Sequence, residues 1–381
     1  MKKSPKHPAK PSPRASYLKA ISAVAAGLAA TAATAGPFTL GDLVIYRVGD
    51  GNAALGTTAT AVFLDEYTTG GSLVQSLILP SSGAGALTAV GNATTEGVLS
   101  RAQNGLSLVF TGYRKDAGGT NPSSDAPATT SRVIATVDAA GTINASSTLT
   151  DSTGTIRSAT SVDGTSSFYV GTSTGVRYDA SPFTAATTTV IDTRNSRQVN
   201  LSGNTLFAAN GSTAVTGKVQ SYGTLPTTAT AATPIVTLAS GDAVNGFALF
   251  DLSTSVAGDD TMYLLSTVEN LLRKYTFDGT TWNASGSVGA GSAQNITGFA
   301  VEGTVNLFLT SGSTLYTKVD STGYNAALDS VALTTLATAG ANTAFRGIAL
   351  APSVVPEPSS YLLLAAGGLL FVAVRRFRVR D

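Results

Sequence analysis

Between Gly36 and Pro352 the hydrophobic residues fall in short clusters that alternate with polar residues and are separated by turn-forming residues. No stretch keeps the period of about 3.6 residues that marks an amphipathic helix, whereas short alternating runs are typical of half-buried β-strands. The segment beginning at Arg157, "RSATSVDGTSSFYVGTSTGVRYDAS", contains three such runs, with Asp163-Gly164 at a turn. The pattern therefore predicts an all-β domain.

The strand pattern recurs in units of four strands. Successive units start 61, 40, 48 and 50 residues apart. They begin near Glu96, Arg157, Arg197, Asn245 and Asn295. The longest spacing contains the insertion Lys115–Thr130, which we expect to be a mobile loop. A repeat of about 40–50 residues with four strands is typical of a β-propeller blade, because one sheet cannot bury both of its faces alone.

A further blade requires both ends of this region. Ala344–Pro352 resembles a first strand with no successors, while Gly41–Gly49, Ala61–Thr68 and Ser72–Leu79 resemble three strands that lack a first. Joined, they complete one blade and leave no exposed sheet edge at the junction. We therefore predict a six-bladed β-propeller over residues 36–352, closed by its N- and C-terminal strands. Seven blades remain the alternative if residues 36–96 hold more strands, and an elongated β-solenoid is another.

Composition agrees with a folded β domain. Gly, Ala, Thr and Ser dominate, and only 12% of the residues are charged. Such a composition also occurs in disordered chains, but the regular apolar clusters can bury enough surface to offset the loss of chain entropy. Residues 36–355 hold 14 basic and 21 acidic residues, a net charge of about −7. Nucleic-acid binding depends on neutralising phosphates, so this domain is not expected to bind nucleic acid.

The chain has no cysteine, and its single histidine is His7 in the basic N-terminal segment. Catalytic triads and histidine-based metal sites are therefore excluded from the body of the protein. Paired carboxylates remain available for glycosidase-like chemistry, and Asp42, Asp50 and Asp259-Asp260 are isolated candidates for binding Ca²⁺ through oxygen ligands. We expect no catalytic residue, no metal site and no cofactor, with calcium as the one alternative.

Arginines recur near the predicted first strands, which line the axis of a propeller. They are Arg101, Arg157, Arg197 and Arg346. They are candidate axial contacts for anions or acidic sugars, although such arginines more often pair with acids of neighbouring blades.

The N-terminus is typical of a secretory signal peptide. Six Lys and Arg residues and no acid lie in residues 1–35, and a short apolar stretch of small residues follows the basic region. Ala33 and Ala35 flank Thr34 in the pattern that precedes signal cleavage. We therefore predict removal of residues 1–35 after export by the Sec machinery.

The C-terminus contains an apolar run, Tyr361–Val374, followed by Arg375, Arg376, Arg378 and Arg380. As a helix this run would be about 21 Å long, which is shorter than the ~30 Å hydrocarbon core of a bilayer. Arginine side chains can reach the interface, and local thinning of the bilayer accommodates some mismatch. The sequence predicts a transmembrane helix at 361–374 with its arginines in the cytoplasm and the β domain outside.

Pro356-Glu357-Pro358, the apolar run and the arginine cluster together resemble the PEP-CTERM sorting signal of Gram-negative bacteria, here residues 353–381. The resemblance implies recognition of the tripeptide by an exosortase, a membrane enzyme thought to cut the tail. It also implies transient anchoring in the inner membrane and a final location at the cell surface or in the extracellular matrix.

The combined expectation is an exported surface or matrix protein without enzymatic activity, associated with exopolysaccharide. A carboxylate- or calcium-dependent hydrolase or lyase acting on extracellular polymer is the alternative.

Overall fold

The computed structural model describes Met1 and residues 36–354. Residues 36–354 form 26 β-strands and one 3-10 helix, Pro122–Ser124, and no α-helix occurs among them. This part of the chain accordingly holds no helical segment with the length and apolar character needed to span a bilayer. The predicted signal peptide and the predicted transmembrane helix, 361–374, lie outside the described residues.

Hydrogen bonding groups most strands into sets of four, termed quartets. The chain begins with β1 (Leu43–Val48), β2 (Ala59–Tyr67), β3 (Leu73–Ile78) and β4 (Thr88–Val90). Quartet 1 consists of β5 (Ser100–Arg101), β6 (Ser107–Tyr113), β7 (Arg132–Asp138) and β8 (Ile143–Leu149). Quartet 2 consists of β9 (Ile156–Thr160), β10 (Phe168–Thr172), β11 (Gly175–Asp179) and, after the two-residue β12 (Ala185–Ala186), β13 (Thr189–Asp192).

Quartet 3 consists of β14 (Ser196–Ser202), β15 (Thr205–Asn210), β16 (Gly217–Thr224) and β17 (Thr233–Thr237). Quartet 4 consists of β18 (Val244–Phe250), β19 (Thr261–Ser266), β20 (Leu271–Phe277) and β21 (Trp282–Gly289). Quartet 5 consists of β22 (Asn295–Val301), β23 (Thr304–Thr310), β24 (Thr314–Asp320) and β25 (Thr334–Thr338), and the last strand is β26 (Ala344–Leu350). The predicted units of four strands are therefore present from Ser100 onwards.

The two ends of the β domain meet in one sheet. β26 pairs with β1 in antiparallel register, with Leu43 opposite Leu350 and Val44 opposite Ala349. β1 pairs with β2, and β2 pairs with β3. These four strands form a sixth set, the closing quartet, and the predicted pairing of Gly41–Gly49 with Ala344–Pro352 is confirmed.

One feature of the sheets differs from the prediction of separate four-stranded units. β4 pairs with β2 through Thr88–Val90 and with β6 through Thr88, so the closing quartet and quartet 1 belong to one 10-stranded sheet. The reason is the length of β2, whose first residues, Ala59–Ala61, extend beyond β1 and β3 and need another partner for their backbone groups. β12 adds to the outer edge of the same sheet by pairing with β8 in parallel.

The first strands of the quartets follow one another around the domain. β26 contacts β5, β5 contacts β9, and the contacts continue through β14, β18 and β22 back to β26. Six hydrophobic clusters lie where successive quartets meet, one at each junction. At the junction of quartets 4 and 5, for example, Tyr263 and Leu265 pack against Leu307 and Leu309. Each fully buried side chain of this kind contributes about 1.5–3 kcal/mol, so the junctions stabilise the domain.

All first strands run in the same direction. Residues near the starts of several first strands, Arg197, Asn245 and Asn295, line one small opening. Residues near their ends, such as Asn200, Phe250 and Leu350, line a different cavity. The domain therefore has two faces, an upstream face where the first strands begin and a downstream face where they end. Loops between first and second strands and between third and fourth strands lie on the downstream face.

The insertion Lys115–Thr130 is fastened to the domain rather than free, in contrast to the expected mobile loop. Its anchor is the fully buried Arg132. The guanidinium donates hydrogen bonds to the carbonyl oxygens of Ser123, Asp125, Thr130 and Gly154 over 2.8–3.0 Å. Among the described residues no carboxylate forms an ion pair with Arg132. The carbonyl oxygens accept hydrogen bonds from its guanidinium instead.

Candidate functional site

A cavity of about 200 Å³ opens along the axis, between the first strands. Five of the six first strands line it, with residues that range from near the start of a strand, as at Ile296, to its end, as at Leu350. The apolar part includes Phe247, Phe250, Ile296, Ile348 and Leu350. The polar part consists of Ser100, Arg101, Gln198, Asn200 and Thr297.

Several polar groups in this cavity have unused hydrogen-bonding capacity. The side chains of Asn200 and Thr297 make no hydrogen bond to another described residue. Gln198 accepts a 2.7 Å hydrogen bond from the Phe247 amide through Oε1, which leaves its side-chain NH₂ group without a partner among the described residues. Alternation places Gln198 and Asn200 on one face of β14, while Val199 and Leu201 pack into the hydrophobic cluster on the other.

Arg101 contributes the only charge in the lining. Its Nε donates to the carbonyl oxygen of Gly105 at 3.0 Å, and its Nη2 donates to Ser353 Oγ at 3.2 Å. Burial lowers the pKa of the guanidinium, although arginine stays charged at neutral pH. The cavity lining contains no Asp or Glu, so it offers donors and acceptors for a hydroxyl-rich molecule but no general acid or base.

The four predicted axial arginines are divided between the two faces. Arg101 lies in the downstream cavity, whereas Arg157, Arg197 and Arg346 lie at the upstream starts of their strands. Arg157 donates to the Ser196 carbonyl at 2.9 Å and to Asn195 Oδ1. Arg346 donates to the Gly91 carbonyl at 2.9 Å. The structure therefore does not bring the four together into one ring.

Two of the upstream arginines, Arg157 and Arg346, act electrostatically on a buried carboxyl group, Glu96. This side chain is only 4% exposed and accepts hydrogen bonds from the Tyr113 hydroxyl at 2.8 Å and the Val90 amide at 3.0 Å. Burial raises the pKa of Glu96 to about 7, although the hydrogen bonds and the charges of Arg346 and Arg157 act in the opposite direction. Burial, together with the charge of Arg197, lowers the pKa of Arg157 to about 9.

The upstream end of the axis is covered by chain. The segment 91–98 crosses it, with Gly97 accepting a hydrogen bond from the Gly347 amide at 2.9 Å and Val98 donating to the Arg157 carbonyl at 3.0 Å. The remaining opening beside Arg197 has no volume for a water molecule. Arg157 and Arg346 thus contact the covering segment and its neighbours rather than an open site.

Several of the carboxylates considered for catalysis or calcium binding, among them Asp50, Asp163 and Asp260, accept hydrogen bonds from nearby residues of their own turns. Asp260 accepts hydrogen bonds from the amides of Leu252 and Ser253 and from the Thr261 hydroxyl. Although burial opposes ionisation, hydrogen bonds from Ser166 and Thr165 lower the pKa of Asp163 to about 2. Within residues 36–354 no group of three potential ligands is arranged to hold a metal ion.

The sequence missed Gln198, Asn200 and Thr297 as site residues. The available signal was their position as polar residues on predicted first strands, but the choice of face required the register of the folded sheets. The residues named for cleavage and sorting lie outside the described residues, as do the four C-terminal arginines. The residues named for cleavage are Ala33 and Ala35, and those named for sorting are Pro356, Glu357 and Pro358.

Comparison with solved structures gives propeller-like neighbours at low identity. A provisionally assigned 6-phosphogluconolactonase from Bacteroides fragilis is 13% identical with a TM-score of 0.48, covering 77% of this chain and 82% of that one. The periplasmic gluconolactonase PpgL from Pseudomonas aeruginosa is 14% identical with a TM-score of 0.44, covering 78% and 83%. The β-propeller domain of Cps50 (Swd1) from Myceliophteria thermophila is 10% identical with a TM-score of 0.42, covering 82% and 98%.

These TM-scores lie below 0.5, so the description of the fold rests on the strand pairing of this chain. No protein of curated function matches the sequence. Residues 354–378 match the PEP-CTERM protein-sorting motif, which indicates an exported precursor that is anchored in the membrane and processed by exosortase-type machinery. The chain therefore has an all-β body within residues 36–354 and carries a PEP-CTERM sorting motif at its C-terminus.

Proposed function

We propose that residues 36–352 form a six-bladed β-propeller that binds a carbohydrate without chemically changing it. The six quartets, their successive first-strand contacts and the six hydrophobic junctions support this number of blades. The Sec machinery exports the protein across the inner membrane, and residues 1–35 are then removed. After transient anchoring and processing by an exosortase, it acts at the cell surface or in the extracellular matrix, in association with exopolysaccharide.

The observation that carries the proposal is the chemistry of the axial cavity. Amide, hydroxyl and guanidinium groups converge there above apolar side chains, which suits the hydroxyl groups and the apolar faces of a sugar ring. Drug-sized ligands occupy cavities of roughly 300–1,000 Å³. A cavity of about 200 Å³ suits one sugar unit, such as an end or a branch of a polysaccharide.

Binding is favoured over hydrolysis because no carboxylate lines the cavity. Glycosidases require two carboxyl groups on either side of the scissile bond. The carboxylates of the downstream face lie in turns, where backbone amides occupy several of them. Hydrolysis or elimination that depends on carboxylates or calcium remains the competing function and is an outcome of the experiment.

The test is co-sedimentation of the purified protein with the exopolysaccharide of its own organism. Asn200→Leu removes the amide and fills the cavity, so we expect retention to fall about tenfold, equivalent to roughly 1.4 kcal/mol for a lost hydrogen bond. Asn92→Ala, an exposed amide on the upstream side, is the matched control and should retain full binding. Equal retention by both variants contradicts the axial site, and depolymerisation of the polysaccharide that stops in EDTA supports the enzyme instead.

A further inference from the structure

The sorting segment leaves the domain at a fixed point on the downstream face. Ser353 donates from its amide to the Gly105 carbonyl at 2.8 Å, and its hydroxyl donates to the same oxygen at 3.0 Å. Arg101 donates both to this carbonyl and to the Ser353 hydroxyl. These contacts hold the last residue before the sorting motif, residues 354–378, against the loop after β5.

The distance from this point to the tripeptide is short. Pro356 and Pro358 follow Ser353 by three and five residues. A fully extended chain spans at most about 3.5 Å per residue, so three to five residues of chain reach no further than roughly 10–18 Å from Ser353. Any enzyme that encloses the tripeptide in its active site must therefore approach the downstream face closely, as long as Ser353 stays hydrogen-bonded to Gly105 and Arg101.

The downstream face carries a strong excess of negative charge. Seven acids on it are exposed or half-buried and form no ion pair within the described residues, whereas Arg101 is its one accessible cation in that part of the chain. The seven acids are Asp42, Asp138, Asp163, Asp251, Asp259, Asp278 and Glu302.

The upstream face differs because most of its charges are paired. Its ion pairs are Lys115–Asp125, Arg177–Asp151, Arg194–Asp192 and Arg273–Glu269. The accessible charges left over are two acids, Asp50 and Asp116, and two arginines, Arg114 and Arg197. The field of the domain is therefore concentrated on the face from which the sorting segment leaves.

We propose that the downstream face docks on a basic, membrane-external surface of the enzyme that processes the sorting motif. The short tether forces the two surfaces together, and the unpaired acids make a basic partner surface favourable. A bare membrane surface is the less suitable partner, because anionic headgroups repel an acidic face. The proposal rests on the sorting motif and its tether and does not depend on what the axial cavity binds.

The experiment follows processing of the full-length chain in cells that contain the exosortase-type machinery. The double variant Asp251→Lys and Glu302→Lys reverses two exposed charges whose carboxylates make no hydrogen bond to another described residue. We expect conversion of precursor to the cut form, followed by mass after a pulse of synthesis, to slow about tenfold. The matched control is Asp50→Lys and Asp116→Lys on the upstream face, which should be processed at the normal rate.

A longer tether separates loss of contact from misfolding. Insertion of about 20 Gly and Ser residues between Ser353 and Val354 allows a reach of roughly 60–70 Å when extended, so the enzyme no longer has to touch the domain. In this background the charge reversal should no longer slow processing. Unchanged processing of the downstream variant with the natural tether, equal slowing of the upstream control, or slowing that persists with the long tether overturns the proposal. Faster processing of the downstream variant contradicts it too, and indicates attraction to anionic lipid.

Discussion

The arginines on the first strands have different partners, although they occupy similar positions in different quartets. Arg101 meets Ser353 at the rim of the axial cavity, whereas Arg157 and Arg346 donate to carbonyl groups near the covered upstream end. Their recurrence near first strands is visible in the sequence. Their distribution between two faces is not, because it depends on where each strand begins relative to its neighbours.

Glu96 provides a prediction about pH. Its pKa is about 7 in the folded protein, raised by burial from the ordinary value of 4.5. Between these pH values the folded state binds more protons than the unfolded state, so this group's contribution to stability is complete below about pH 4.5 and is lost as the pH rises through 7. Glu96→Gln removes this titration. The free energy of unfolding of the variant minus that of the wild type should therefore be up to about 3 kcal/mol higher at pH 8 than at pH 4.

Urea unfolding of the two proteins across pH 4–8 measures this difference. Asp50→Asn, a fully exposed carboxyl on the same face, is the control and should show no such rise in relative stability towards pH 8. A wild-type protein and Glu96→Gln variant whose stabilities differ by the same amount at every pH would show that Glu96 does not carry the buried proton.

At the scale of the element, the quartets could be predicted because turn residues and alternating runs fix where strands begin and end. Asp163 binds the amides of Thr165 and Ser166 in its turn, which is the local behaviour that the sequence indicates. Two features required tertiary information. The added β4 depends on the overhang of β2, and the fastening of the insertion depends on Arg132, whose carbonyl partners are distributed along the loop and at Gly154.

Gly347 of β26 lies directly against the backbone of Gly97–Leu99, at the junction with quartet 1. A Cβ atom on Gly347 would lie 2.1 Å from the Leu99 amide nitrogen and 2.4 Å from the Gly97 carbonyl oxygen, and neither backbone atom can move freely. Gly347→Ala should therefore lower the free energy of unfolding by about 2–3 kcal/mol through overpacking. Gly289→Ala is the matched control, because nothing lies within 4 Å of its added Cβ. Equal stability of the two variants in urea would mean that β26 does not lie against Gly97–Leu99.

At the scale of the whole molecule, both ends of the β domain are committed to one quartet, and the sorting segment starts directly beyond it. Cleavage within residues 354–378 therefore removes nothing from β26 or from its pairing with β1. The same geometry places the departing tail, the axial cavity and the unpaired acids on the downstream face. The incomplete strand sets at the two ends of the sequence predicted that both ends belong to one quartet. The asymmetry of charge could not be predicted, because strand direction decides which loops share a face.

The most direct test of this architecture uses the absence of cysteine from the chain. Val44 and Ala349 lie opposite each other in the pairing of β1 with β26, and opposed Cβ atoms in antiparallel strands are about 4.5–5.5 Å apart, close enough for a disulfide after a small adjustment. The protein with Val44→Cys and Ala349→Cys should form one intramolecular disulfide on oxidation, detected by mass spectrometry. A control that combines Val44→Cys with Ala248→Cys of quartet 4 should keep free thiols. Free thiols in the first protein, or an equal yield of disulfide in both, would contradict closure of the domain by its two ends.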